Sequence, residues 1–74
     1  MGTQHSRERA QNWMHIKFRE ALRTGRNMIN KEKFIAQFCL ELFASERTAK
    51  ELLKLYESTG LIRVHRDDIE VILR

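Results

Sequence analysis

The sequence predicts an α+β domain of three helices closed by a C-terminal two-stranded hairpin. Three observations predict it. Ala49, Leu52, Leu53 and Tyr56 recur at the three- and four-residue spacing of one helix face. After Gly60 the pattern changes to strict alternation, with Ile62 and Val64 apolar around Arg63. Asn30 and Ser45 each stand where a polar side chain can cap a helix, dividing the preceding chain into separate segments.

From the start, Met1 to His5 lacks periodicity and is expected to be a flexible N-terminus of a single domain covering 6–74. Ser6 is the expected cap of a first helix over about 6–24, with Glu8 in its first turn. Ala10, Trp13, Met14, Phe18, Ala21 and Leu22 form one stripe, interrupted only by Lys17. Thr24-Gly25 ends that helix, and Arg19, Arg23 and Arg26 suit the negative end of its dipole. A very short strand is expected near 27–29. Asn30 then caps a second helix of about 31–43, across which Ile29 and Phe34 can form a hydrophobic staple. Its inward stripe is Phe34, Ile35, Phe38 and Leu42. Replacing Asn30 with Ala should cost about 1 kcal/mol.

Ser45 caps the third helix, about 46–59, and Glu46 sits where the dipole favours a negative charge. Gly60 supplies the left-handed residue that ends it, and Leu61 can close back onto Tyr56. Strands of about 61–66 and 69–73 are expected to pair around a two-residue turn at Asp67-Asp68. That register sets Val64 against Val71, Ile62 against Leu73 and His65 opposite Glu70, and a one-residue slip would reverse every face.

This order resembles a winged helix-turn-helix domain over roughly residues 27 to 73. Phe38-Cys39-Leu40-Glu41-Leu42-Phe43-Ala44 looks like the end of the helix before the turn. Cys39 falls where that family carries a small residue, and Ala49 and Leu52 fall on its packing positions. Phe43 departs, standing where such sequences most often carry glycine, so a corner wider than the usual three-residue turn, or differently folded, is expected there. The resemblance implies a helix in the DNA major groove, a hairpin wing, and a short strand at 27–29 pairing with the wing. It also implies transcription regulation through sequence-specific double-stranded DNA, in the manner of small prokaryotic or archaeal regulators acting as homodimers.

Composition bounds the rest. At 74 residues the chain is at most one domain, and one this small buries only about 60% of its unfolded surface. Cys39 is the single cysteine, so no internal disulfide can form. No apolar run approaches a membrane span and no apolar block opens the chain, so an intracellular, cytoplasmic protein is expected, nucleoid-associated if it binds DNA. The formal charge is +4 and the pI about 9.7, favouring polyanionic partners. The charge is uneven: residues 1–33 hold eight Lys/Arg against three Asp/Glu, and residues 34–74 hold six against seven.

Arg47, Thr48, Lys50, Glu51 and Lys54 project from the third helix opposite its apolar stripe, with Ser45 at its start. Arg47 and Lys50 suit guanine edges, Glu51 cytosine, Thr48 a phosphate or thymine methyl, and Lys54 a phosphate. The bland alternative is a solvated face in which Glu46, Glu51 and Glu57 cancel the cations. Lys31 and Lys33 oppose the dipole of the second helix, which suits a phosphate gripped at its N-terminus; solvated lysines are the alternative. Arg63 and Arg66 are the cations available to the wing, whose Asp67-Asp68 tip repels phosphate.

Trp13, Met14 and Phe18 read as core. Ile16, Leu40, Leu55 and Ile72 fall off the inward stripes and, with Trp13, form the candidate dimer or partner surface. The first helix, with Ile16 on its outer side, is the expected dimer element. His5, His15, His65 and Cys39 are not at metal-ligand spacing, and no phosphate loop, carboxylate pair or catalytic triad appears. No enzyme activity, cofactor, metal, membrane or small-molecule substrate is expected. Two other functions remain open: a winged-helix protein-interaction module of a larger assembly, and a replication or recombination accessory domain that binds DNA through its basic N-terminal third.

Overall fold

The computed structural model describes residues 3–72. Their order is α1 (Thr3–Arg23), β1 (Met28–Asn30), α2 (Lys31–Leu42), α3 (Glu46–Ser58), β2 (Ile62–Val64) and β3 (Asp68–Val71). The strands form one antiparallel sheet in the order β1-β3-β2. Three helices with such a sheet make an α+β arrangement compatible with a winged-helix-like fold.

Local chemistry sets most boundaries. Two helices end on a glycine with positive φ, Gly25 at 78° and Gly60 at 82°. At both ends the last orphan carbonyls are satisfied by the paired bonds of a Schellman motif. Gly25 N–H donates to Leu22 O and Arg26 N–H to Ala21 O; Gly60 N–H donates to Glu57 O and Leu61 N–H to Tyr56 O. Asn30 Oδ1 accepts from Lys33 N–H at 2.9 Å, and Ser45 Oγ accepts from Thr48 N–H at 3.2 Å, as N-caps should. One start differs from expectation: α1 begins at Thr3, so Ser6 and, of the stretch expected to be flexible, Thr3 to His5 all lie within the helix.

The corner between α2 and α3 keeps the three-residue length. It is not widened. Phe43 itself takes the left-handed conformation, φ 52° and ψ 40°, and its N–H donates to Cys39 O. Only Phe43, Ala44 and Ser45 separate the two helices. A phenylalanine thus does the glycine's backbone work, at a steric cost glycine avoids.

The core is wholly apolar; no polar or charged residue is buried among the described residues. Phe18 stacks on Phe34 and meets Tyr56 edge-on, both at 5.3 Å between ring centres, while Trp13 packs on Phe34 and Phe38. Removing a buried aromatic ring commonly costs about 3–5 kcal/mol, a large share of what so small a domain can hold. Tyr56 Oη donates to Gln11 O at 3.0 Å and ties α3 to α1, and burial raises its pKa. Leu22, expected in the inward stripe, is exposed instead.

The hairpin register is shifted by two residues from the expected one. Ile62 pairs with Val71, Arg63 with Glu70 and Val64 with Ile69. Leu73, the expected partner of Ile62, lies outside the described residues. A two-residue shift keeps side-chain parity, so the same residues face the core. The shift brings in Ile69, fully buried and flanked in the sheet by Ile29 and Val64. The turn falls on Arg66-Asp67, not Asp67-Asp68, closed by His65 N–H donating to Asp68 O at 2.8 Å. Neither turn residue has the positive φ that a primed hairpin turn uses. The strands are correspondingly shorter than expected.

Candidate nucleic-acid interface

The α3 helix turns Ala49, Leu52 and Leu53 into the core and leaves Arg47, Lys50, Glu51 and Lys54 exposed on its other side. Two of these cations are paired within the helix. Arg47 Nε lies 3.6 Å from Glu51 Oε2, and Lys50 Nζ lies 3.7 Å from Glu46 Oε1. Both pairs are solvated i,i+4 contacts worth about 0.3–0.5 kcal/mol each, so a phosphate or base edge can displace the carboxylate at small cost. Ser45 and Thr48 are already engaged: beyond the cap bond, their hydroxyls lie 3.1 Å apart. They set the start of α3 and offer a ligand only their remaining hydrogen-bonding capacity.

Beside α3 runs a groove. It is lined by Lys31, Ile35 and Cys39 of α2, by Glu46 and Lys50 of α3, and by Arg66 and Asp67 of the hairpin turn. Lys31 N–H donates to Asp67 O at 2.9 Å, which fastens the turn to the first residue of α2. Glu32 also lines this groove, so its charges are Lys31, Lys50 and Arg66 against Glu32, Glu46 and Asp67. They cancel. The Asp67 carbonyl is used in fixing the turn, and its carboxylate remains exposed.

Lys31 and Lys33 do not act together. Two residues along a helix is about 200° of rotation, and i,i+2 side chains do not meet. Lys33 lines a different groove on the opposite flank of α2, bounded by Lys17, Glu20, Arg23 and Arg26 around α1 and by Met28 and Ile29 of β1. Arg63 is separated as well. It lies on the outer face of the sheet in a row with Glu70 and Met28, which pair across the strands. His65 meets Glu70 as expected, Nε2 to Oε1 at 3.0 Å, but diagonally, because Arg63 is the residue opposite Glu70.

The residues of the expected partner surface differ in exposure. Ile16, Leu40 and Leu55 are exposed, whereas Ile72 is half-buried. Trp13 packs on the core, donates from Nε1 to Glu41 Oε1 at 3.0 Å, and lies beneath Lys17 Nζ, 5.4 Å from the ring centre. That bond, and a second from Gln37, hold the Glu41 carboxyl below its ordinary pKa. Sequence reasoning missed this pair, since 28 positions separate its members. It also missed Phe43, 95% exposed beside Leu40 at 75%. The signal was present, because a bulky residue in a glycine position must either widen the turn or project from it.

Among the described residues, no three His, Cys, Asp or Glu side chains are grouped to hold a metal, and no helix is long and apolar enough to cross a membrane. Comparison with protein-family models, curated proteins and solved structures finds no match to this chain.

Proposed function

We propose that this is a winged helix-turn-helix domain that binds double-stranded DNA, with the exposed side of α3 in the major groove and the β2–β3 turn against the backbone. One observation carries this reading. The side of α3 bearing Arg47, Lys50, Glu51 and Lys54 is uncovered, and the hairpin turn is fastened beside it by the Lys31–Asp67 main-chain bond. A helix of 13 residues is about 20 Å long and fits a groove about 12 Å wide. Arg47 and Lys50 are the base-reading candidates, with Glu51 against cytosine, while Lys54, Lys31 and Arg66 contact phosphates. A homodimer setting two such helices about 34 Å apart would read a palindrome, as a transcription regulator does.

Fluorescence anisotropy on random and selected duplexes, across a salt series, tests the proposal. Wild-type protein should bind random duplex weakly and with a steep salt dependence. Arg47→Ala should lose about 1–3 kcal/mol of base discrimination, whereas Lys31→Ala should weaken all sequences alike and flatten the salt slope.

A second reading has its own support. Leu40 and Phe43, three positions apart at the end of α2, are both exposed apolar side chains, while the groove beside α3 is electrically neutral. Both suit a protein-interaction module. Salt-independent failure to bind any duplex would favour it.

A further inference from the structure

The basic groove on the other flank of α2 is not used by the proposed α3 contact. We propose that it is a second site for the phosphodiester backbone of nucleic acid, so that one domain holds two duplex segments at once; this rests on the DNA reading above.

Four cations line that groove, Lys17, Arg23, Arg26 and Lys33, against one carboxylate, Glu20. None of the four is ion-paired among the described residues, unlike Arg47 and Lys50 on α3. Their placement is fixed by the fold. Lys17 is held over the Trp13 ring. The Gly25 turn, closed by Arg26 N–H on Ala21 O at 2.7 Å, sets Arg23 and Arg26 on either side of one corner. Lys33 follows the Asn30 cap in the first turn of α2.

The groove suits an extended polyanion more than a single ion. Lys17 and Arg23 are six residues apart on α1, about 9 Å along its axis. A DNA strand places a phosphate about every 3.4 Å of axis, so this stretch spans two to three of them. Arg23 and Arg26 add forked donors that match phosphate oxygens.

The two grooves share only Asn30 and lie on opposite sides of α2. A straight duplex seated on α3 cannot also reach the far flank. The second groove therefore takes a second duplex, or a distant segment of the same one.

A bridging assay tests this with the full chain. One duplex is fixed to beads, a labelled duplex is offered with protein, and retained label is measured. Anisotropy on a single duplex and light scattering of the free protein run alongside. The variants are Arg23→Gln/Arg26→Gln/Lys33→Gln, all exposed positions, and Arg26→Glu alone, which lies outside any helix. Wild-type protein should retain the label. Both variants should still bind a single duplex yet retain about tenfold less, with unchanged mass. Retention that survives the triple substitution overturns the proposal, since bridging then runs through dimerisation or another face. So does wild-type binding of one duplex without retention of a second. Loss of single-duplex binding in the triple variant but not in Arg47→Ala/Lys54→Ala also overturns it, and the α3 reading with it. If wild-type protein binds no duplex at all, the proposed function itself fails first.

Discussion

The main-chain N–H of Lys31 donates to the main-chain carbonyl of Asp67 at 2.9 Å, joining the first residue of α2 to the tip of the hairpin. Its neighbours are also engaged: Asn30 pairs with Asp68 in the sheet, and the Asn30 side chain caps the helix. The hairpin is thus placed by backbone bonds, and the acidic side chains at its tip are not what holds it.

Lys31→Pro isolates that bond. Proline is well tolerated at the first helical position, and Asn30 already has the extended backbone, ψ 121°, that a following proline requires. The variant should lose about 1 kcal/mol relative to Lys31→Ala, which keeps the N–H. Urea unfolding of the two variants measures the difference. Faster amide exchange at His65 in the proline variant would locate the loss in the hairpin.

Phe43 holds a left-handed backbone while 95% of its surface stays exposed, so its ring contributes almost no burial to offset the steric cost. Phe43→Gly should stabilise the domain by about 1 kcal/mol and raise its thermal midpoint by roughly 4–8 °C. Phe43→Ala keeps the strained backbone and should leave the midpoint nearly unchanged. A glycine variant that melts lower than the wild type would show that the ring packs where the structure leaves it exposed.

Ile69 is buried completely at the centre of the three-stranded ladder, between Ile29 and Val64. Truncation to Ala should cost about 2–5 kcal/mol, as for other large-to-small core changes. The equivalent change at Ile16, exposed on α1, should cost less than about 0.5 kcal/mol. Thermal or urea midpoints of the pair check the contrast.

The chain's single tryptophan reports on one carboxylate. Trp13 Nε1 donates to Glu41, and that bond, with a second from Gln37, keeps the Glu41 pKa below its ordinary 4.5. A carboxyl lowered in the folded state adds stability above its unfolded pKa and loses it as pH falls through the folded value. Trp13 fluorescence should therefore titrate with a midpoint under 4.5, and Glu41→Gln should abolish that transition. A midpoint above 4.5 in the wild type would contradict the geometry.

Local rules made much of this fold legible in the sequence. The caps at Asn30 and Ser45, the glycine ends at Gly25 and Gly60 and the apolar period of α3 each act within a turn or two, and each is where the sequence places it. Two local readings failed as well, Ser6 as the start of α1 and Leu22 in its inward stripe, but the larger failures came where distance in the chain enters. Val64 fits opposite Val71 as well as opposite Ile69 by alternation alone, and the bond from Lys31 to Asp67 that accompanies the observed register crosses the domain. Lys31 and Lys33 looked like one site in the linear sequence, and helical rotation puts them in separate grooves. The exposed cations of α3 were readable from their spacing. The basic groove was not, because α1, β1 and α2 each supply only part of it.

The placement of DNA on α3 is tested most directly by mapping amide chemical shifts in labelled protein as a short duplex is added at low salt. The largest changes should fall over Glu46 to Lys54, with Lys31 and Arg66 moving at the same duplex concentration. Changes confined to Leu40 and Phe43, or no change at any ratio of duplex to protein, would contradict it.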